Sequence, residues 1–186
     1  MSTISLKNVK LGDSPDPSKN FVISVPAVAD GTLTIKREDG TNVLSIAADG
    51  GIDLAVPQQS YTPVIRGATT VGVGTYSVQQ GVYYDYGPLV FVRVRLDWSA
   101  HTGTGAMGIT LPTIADTSVV TPLATYANGV NVGANNTPVG MIFSGGGSAD
   151  QRIQVYGVNN VSGGTVTTAN IDTTGSIAVS GWYRKA

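Results

Sequence analysis

Catalytic chemistry in this chain would have to start from few groups. The sequence holds one histidine, His101, and one glutamate, Glu38. Asp97, Ser99 and His101 are spaced i, i+2, i+4, which offers an acid, a hydroxyl and a base in one short stretch. Acyl transfer needs more: a nucleophile, a base within hydrogen-bond reach and a group that orients the base. Ser99 and His101 sit in a polar, glycine-rich turn, and no GxSxG nucleophile elbow is present. His101 is therefore expected to be a loop histidine, in solvent or at a subunit contact.

Glycan hydrolysis requires a pair of facing carboxylates. Residues 59–186 contain Asp85, Asp97, Asp116, Asp150 and Asp172, and their spacing singles out no pair. Asp116 and Asp172 read as turn or cap residues. The Asp-Gly steps at 30–31, 39–40 and 49–50 lack the D-x-D-x-D-G spacing of a calcium loop and read as turns. Gly72-Val73-Gly74 and Gly103-Thr104-Gly105 complete no GxGxxG phosphate loop. With no cysteine in the chain, thiolate metal sites and disulfides are excluded. No cofactor, no metal and no enzymatic activity are expected.

Aromatic side chains are the stronger signal. Tyr76, Tyr83, Tyr84 and Tyr86 cluster within eleven residues. Tyrosine offers a flat apolar face with a polar tip, suited to packing, to protein contact and to stacking on sugars. In a strand, Tyr83 and Tyr84 must point to opposite faces. Packing into the fold is the first expectation, and contact with a partner or a glycan the second. The residues assigned to such contact are Tyr83, Tyr84, Tyr86, His101 and, in polar loops, Asn135 and Asn159.

These groups must be positioned by strands. Helical periodicity is almost absent, while Gly, Thr, Val and Ser recur. The clearest element is 89–98. Val90, Val92, Val94, Leu96 and Trp98 fall on one face, and Phe91, Arg93, Arg95 and Asp97 on the other. The first set is expected in a core, the second toward solvent or a neighbouring subunit. Further strands are expected at 21–25, 32–37, 41–47, 139–144, 152–158, 165–170 and 176–183, with turns at Glu38-Asp39-Gly40 and Gly145-Gly146-Gly147. A short helical turn is expected within 112–118.

The chain is predicted to be all-β: an extended N-terminal arm over 1–20, a small β module over 21–58 and an antiparallel β-sandwich or jelly roll over 59–186. The arm carries Ile4, Leu6, Val9 and Leu11 at intervals that could add a strand to a neighbour's sheet edge. Charged residues make up 12% of the chain, with a formal net charge of −1, against about 25% in typical soluble domains. So little charge defends poorly against association, which points to surfaces covered by other subunits. Lys and Arg form no stripe that could neutralise phosphates, and no apolar stretch approaches a membrane span. Neither nucleic acid nor membrane insertion is expected.

Two segments carry a resemblance. The first runs from Asn20-Phe21-Val22-Ile23 through Ala29-Asp30-Gly31-Thr32-Leu33-Thr34-Ile35-Lys36-Arg37 to Val43-Leu44-Ser45-Ile46 and Asp49-Gly50-Gly51. It resembles a stretch near the start of phage tail-fibre and head-surface proteins. The second opens at Tyr61-Thr62-Pro63-Val64, continues through Gln80-Gly81-Val82-Tyr83-Tyr84-Asp85-Tyr86-Gly87-Pro88-Leu89-Val90-Phe91-Val92, and closes with Ile177-Ala178-Val179-Ser180-Gly181-Trp182-Tyr183. It is similar to the distal β-sandwich heads of phage fibres. The resemblance implies a fibre-type or decoration-type virion protein, commonly a homotrimer, assembled in the host cytoplasm and carried on the particle surface, and it carries over no catalytic residue. Its arm would anchor to other virion proteins, and its sandwich would project, as a short tail-fibre or spike tip or as a capsid decoration protein. The sandwich could contact a host surface glycan. No heptad shaft separates the modules, unlike a long fibre. The alternative is a stand-alone carbohydrate-binding module or a glycan depolymerase.

Overall fold

The computed structural model describes residues 8–24, 32–133, 136–142, 152–159, 166–168 and 170–186. The chain divides into two compact units, Met1–Pro57 and Gln58–Ala186. Every strand pairing is antiparallel, and no α-helix occurs among the described residues. The all-β expectation holds.

The first unit is a single five-stranded sheet in chain order: β1 (Asn8–Leu11), β2 (Phe21–Ser24), β3 (Leu33–Arg37), β4 (Asn42–Ile46) and β5 (Ile52–Leu54). β1 lies in the stretch read from sequence as an arm, where Val9 and Leu11 alternate with Lys10 and pair with Ile23 and Phe21. The turn at Glu38-Asp39-Gly40 forms as expected. Gly40 takes φ +90°, the Asp39 carboxylate accepts from the Thr41 N–H at 2.9 Å, and the Arg37 N–H donates to the Thr41 carbonyl at 2.8 Å. A 3-10 turn, Pro17–Lys19, precedes β2 and was not foreseen. Asp16 caps it, and the buried Asn20 side chain ties it to Ser14 and Glu38.

The cross-strand register sorts this sheet into two unlike faces. Val9, Ile23, Ile35, Leu44 and Leu54 form one continuous row, and Leu33, Ile46 and Ile52 form the next. The reverse face carries Lys10, Val22 and Lys36, then Ser24, Thr34, Ser45 and Asp53. Among the described residues of this unit, no apolar side chain is buried.

The second unit comprises β6 (Gln59–Tyr61), β7 (Ile65–Gly67), β8 (Gly74–Asp85), β9 (Leu89–His101), β10 (Met107–Thr110), β11 (Thr121–Asn128), β12 (Asn136–Ile142), β13 (Arg152–Asn159), β14 (Val166–Thr168) and β15 (Gly175–Arg184). Nine of these run in the order β6-β8-β9-β15-β11-β12-β13-β10-β7, with β14 attached to β13. The sheet is curled into a sandwich-like half-barrel. Two features force the curl. β11 changes partner along its length, Thr121–Leu123 pairing with β12 and Ala124–Asn128 with β15. The two ends of the sheet, β6 and β7, are joined by only Thr62, Pro63 and Val64. That link is pinned from both sides: Gln79 donates to the Pro63 carbonyl at 3.0 Å, and the Val64 N–H donates to Thr110 Oγ1 at 2.9 Å.

The core lies inside the curl. β9 supplies Val90, Val92, Val94, Leu96 and Trp98, the face read from the sequence alternation. β15 adds Ile177, Val179 and Tyr183, and the opposite wall adds Ile65, Met107, Ile109, Leu123, Ile142, Ile153 and Val155. Each fully buried aliphatic side chain contributes about 2 kcal/mol by leaving water. The helical turn expected within 112–118 does not form. Ala115 instead bridges Lys185, and the Asp116 N–H donates to the Arg184 carbonyl at 2.7 Å, so the segment serves as a lateral partner for the end of β15. The strand expected at 139–144 begins earlier, at Asn136. The glycine turn at 145–147 lies outside the described residues.

Candidate functional site

Burying Val90 through Trp98 on one face of β9 commits Phe91, Arg93, Arg95 and Asp97 to the other. The register then places neighbours beside them in rows. Tyr84, Phe91 and Trp182 form the first row across β8, β9 and β15. Val82, Arg93, Ser180 and Ala124 form the second. Gln80, Arg95, Ala178 and Tyr126 form the third.

The first row is a connected aromatic platform. Ring centroids are 6.4 Å apart for Tyr84–Phe91 and 5.1 Å for Phe91–Trp182. Tyr86 extends it from the β8–β9 turn, 5.3 Å from Trp182. The turn delivers Tyr86 there because Gly87 takes φ +84° and the Asp85 carboxylate accepts the Gly87 N–H at 2.9 Å. Trp182 remains 50% exposed, which leaves an indole face open to a partner. Tyr84 Oη donates to Gln58 Oε1 at 2.9 Å.

The second and third rows form a trough of about 750 Å³ floored by Arg93, Arg95, Ala178 and Ser180 and flanked by Gln58, Gln80, Val82 and Tyr126. Ala178 and Ser180 on β15 and Ala124 on β11 are small neighbours in these rows, and Arg93 and Arg95 are both exposed. Arg95 Nη2 donates to Asp97 Oδ2 at 3.0 Å. Arg93 makes no ion pair among the described residues.

The structure distributes the sequence-assigned contact residues unevenly. Tyr84 and Tyr86 join the platform. Tyr83 turns to the other side of β8, where it packs against the core, meets Tyr61 edge-on at 6.0 Å and donates to Gln59 at 2.7 Å. His101 is buried. Its Nδ1 accepts from the Gly103 N–H at 2.9 Å, so Nε2 holds the proton and donates to the Ile65 carbonyl at 3.1 Å. That histidine is a brace inside the fold, not an exposed loop residue. Val9 and Leu11 are strand residues of the first unit. Ile4, Leu6 and Asn135 lie outside the described residues, and Asn159 is placed only as the backbone partner of Asn136 at the end of β13.

The described acids of the second unit are held singly. Lys185 Nζ donates to Asp85 at 2.6 Å and holds that carboxyl below the usual range, with the Gly87 N–H reinforcing it. Ser118 does the same for Asp116, which also faces Arg184 Nε at 3.5 Å. The Asp172 carboxylate accepts from the Thr173 N–H at 2.8 Å. No cluster of three or more metal-ligating side chains occurs among the described residues, and no helix there is long and apolar enough to cross a membrane. Tyr61, Tyr76 and Tyr183 have their phenol pKa pushed up by burial, as expected of core hydroxyls rather than of proton donors to a ligand.

Sequence reading placed Phe91, Arg93 and Arg95 on an outer face but did not join them to Trp182 and Tyr126. The missing information was strand adjacency: β9 and β15 are far apart in sequence and side by side in the sheet.

No protein-family model matches the chain, and no curated protein is similar to it in sequence. A solved structure does match. The crystal structure of Dettilon tailspike protein (gp208) superposes with a TM-score of 0.52 at 18% identity, over 69% of this chain and 23% of that one. The likeness is one of fold. This chain spans less than a quarter of the tailspike's length.

Proposed function

We propose that this protein is a non-enzymatic bacteriophage surface appendage that works as a homotrimer. The Met1–Pro57 unit joins copies to one another and to other virion proteins. The Gln58–Ala186 unit projects from the particle and presents the outer face of β8, β9, β15 and β11.

One observation carries this reading. A sheet that is apolar on one face must bury that face against another element. The five-stranded sheet has such a face, from Val9 across to Leu54, and its exposed margin includes Leu11 at 49%, Ile52 at 68% and Leu54 at 52%. Sister copies supply a cover, since a repeated surface closes around a symmetry axis. The low charge of the chain supports the same reading, and the fold shared with a tailspike supports its place on a tail rather than a head. The described acids of the second unit, each single and turn-bound or ion-paired, support a binding rather than a cleaving role.

Immunogold labelling of intact particles tests the location. Label at the tail end is expected, and label restricted to the capsid faces, or none on purified virions, would overturn the tail assignment. Incubation with host surface polysaccharide tests the non-enzymatic assignment: no reducing sugar should be released.

A further inference from the structure

We propose that the outer face of β8, β9, β15 and β11 is a binding site for an acidic oligosaccharide. A sugar ring stacks on Trp182 and Phe91, and the anionic group of the adjoining residue is held by Arg93. This goes beyond the appendage reading and stands on the geometry of the face alone.

Four observations converge on this ligand class. First, Arg93 is exposed at the centre of the sheet with no carboxylate partner among the described residues, beside Arg95, whose charge Asp97 already offsets. Guanidinium is suited to planar bidentate recognition of carboxylate, sulfate or phosphate. Second, the trough above Arg93 measures about 750 Å³, within the roughly 300–1,000 Å³ of ligand-binding clefts. Third, the aromatic platform lies one outward position along from Arg93 on the same strand, roughly 6.8 Å away, so a stacked ring places its neighbour over the guanidinium. Fourth, the lining offers amide and hydroxyl groups, Gln58, Gln80 and Ser180, suited to sugar hydroxyls.

The alternative occupant is a second copy of the chain. Two identical faces packed together would oppose arginine to arginine and strip water from an unpaired Arg93, which is unfavourable without a matching acid. Among the described acids of this unit, Asp85, Asp97 and Asp116 are already engaged by Lys185, Arg95 and Arg184, and Asp172 lies in the turn before β15, outside the three rows of this face.

The test uses the full chain and three probes: oligogalacturonate, heparin oligosaccharide and neutral dextran oligosaccharide, followed by tryptophan fluorescence and calorimetry. Trp98 is buried, so a change in emission on binding reports mainly on Trp182. At least one anionic probe should bind at low salt and at least tenfold more tightly than dextran, weakening as salt rises. Arg93→Gln and Trp182→Ala should each lower that affinity at least tenfold, Arg93→Lys should retain part of it, and Lys36→Gln, on the other unit, should leave it unchanged. The carboxylate and sulfate probes distinguish the source of the anion. Equal binding of neutral and anionic probes, binding insensitive to Arg93→Gln, or no binding to any probe would overturn the proposal. So would a change in oligomeric mass on Arg93→Gln or Trp182→Ala, which would make the face a contact between copies. A trimer that ignores all three probes refutes this inference and leaves the appendage reading standing. A monomer that binds through Arg93 does the reverse.

Discussion

Trp182 on β15 lies against Phe91 on β9, ring centroids 5.1 Å apart and planes inclined by 54°. The two are direct cross-strand partners, and their chain neighbours Tyr183 and Val90 are partners on the opposite, buried face. One register therefore fixes both the core and the outer platform. Trp182→Ala should cost about 1 kcal/mol, the scale of a half-exposed aromatic pair. Tyr183→Ala should cost about 3–5 kcal/mol, because it empties a core site and removes the 2.6 Å hydrogen bond to Thr113 Oγ1. Urea denaturation of both variants checks the contrast.

The seam where the curled sheet nearly closes depends on a missing side chain. A Cβ at Gly81 would stand 2.5 Å from Tyr61 Cε1 and 2.9 Å from Pro63 Cδ. Gly81→Ala should destabilise by about 1–3 kcal/mol through overpacking, and hydrogen exchange should rise first in Gln59–Tyr61, the strand the new methyl pushes away. Uniform exchange across the unit would contradict the seam's role.

His101, at the end of β9, reaches the start of β7 through Nε2 and holds the following Gly103 through Nδ1. His101→Ala leaves the Gly103 N–H without its acceptor in a buried place, a loss of about 1–3 kcal/mol. Thermal melting should register that loss, while binding at the outer face, measured below the melting transition, should not change.

Asp85 and Lys185 tie the β8–β9 turn to the C-terminal tail. Hydrogen bonding from Lys185, then from the Gly87 N–H, lowers the Asp85 pKa in the folded chain. A depressed carboxyl contributes stability that is complete above its unfolded value of about 3.9 and is lost as pH falls through the lower folded value. The melting temperature should hold from pH 7 to about pH 5 and decline below about pH 4. Asp85→Asn should lower stability at neutral pH by less than about 1 kcal/mol, as for a solvent-screened pair, and flatten the acid decline.

Much of the fold was legible because β9 alternates without interruption: Val90 through Trp98 lie where a two-residue period puts them. The same rule correctly divided Tyr83 from Tyr84. What alternation cannot carry is which strands become neighbours. The partner change within β11 rests on tertiary pairing, as does the meeting of β6 and β7 through Thr62–Val64, and neither leaves a local mark. The burial of His101 is hidden from the sequence for a related reason. Its polar, glycine-rich surroundings suggest an exposed loop, but Gly103 and Ile65 supply both of its hydrogen bonds inside the fold. The expected helical turn at 112–118 lost to pairing with the tail of β15, a long-range competitor that propensity does not register. The outer platform was half visible, since each of its members could be put on a face and none could be put beside the others.

The most direct measurement is the solution mass of the full chain by multi-angle light scattering at micromolar concentration, beside the variant Ile35→Lys. Ile35 sits mid-row on the apolar face of the five-stranded sheet, between Ile23 and Leu44. The native chain should run at three times its 19.1 kDa protomer mass, and the variant should fall to a folded protomer. A native chain that stays at one protomer mass when concentrated would contradict the account.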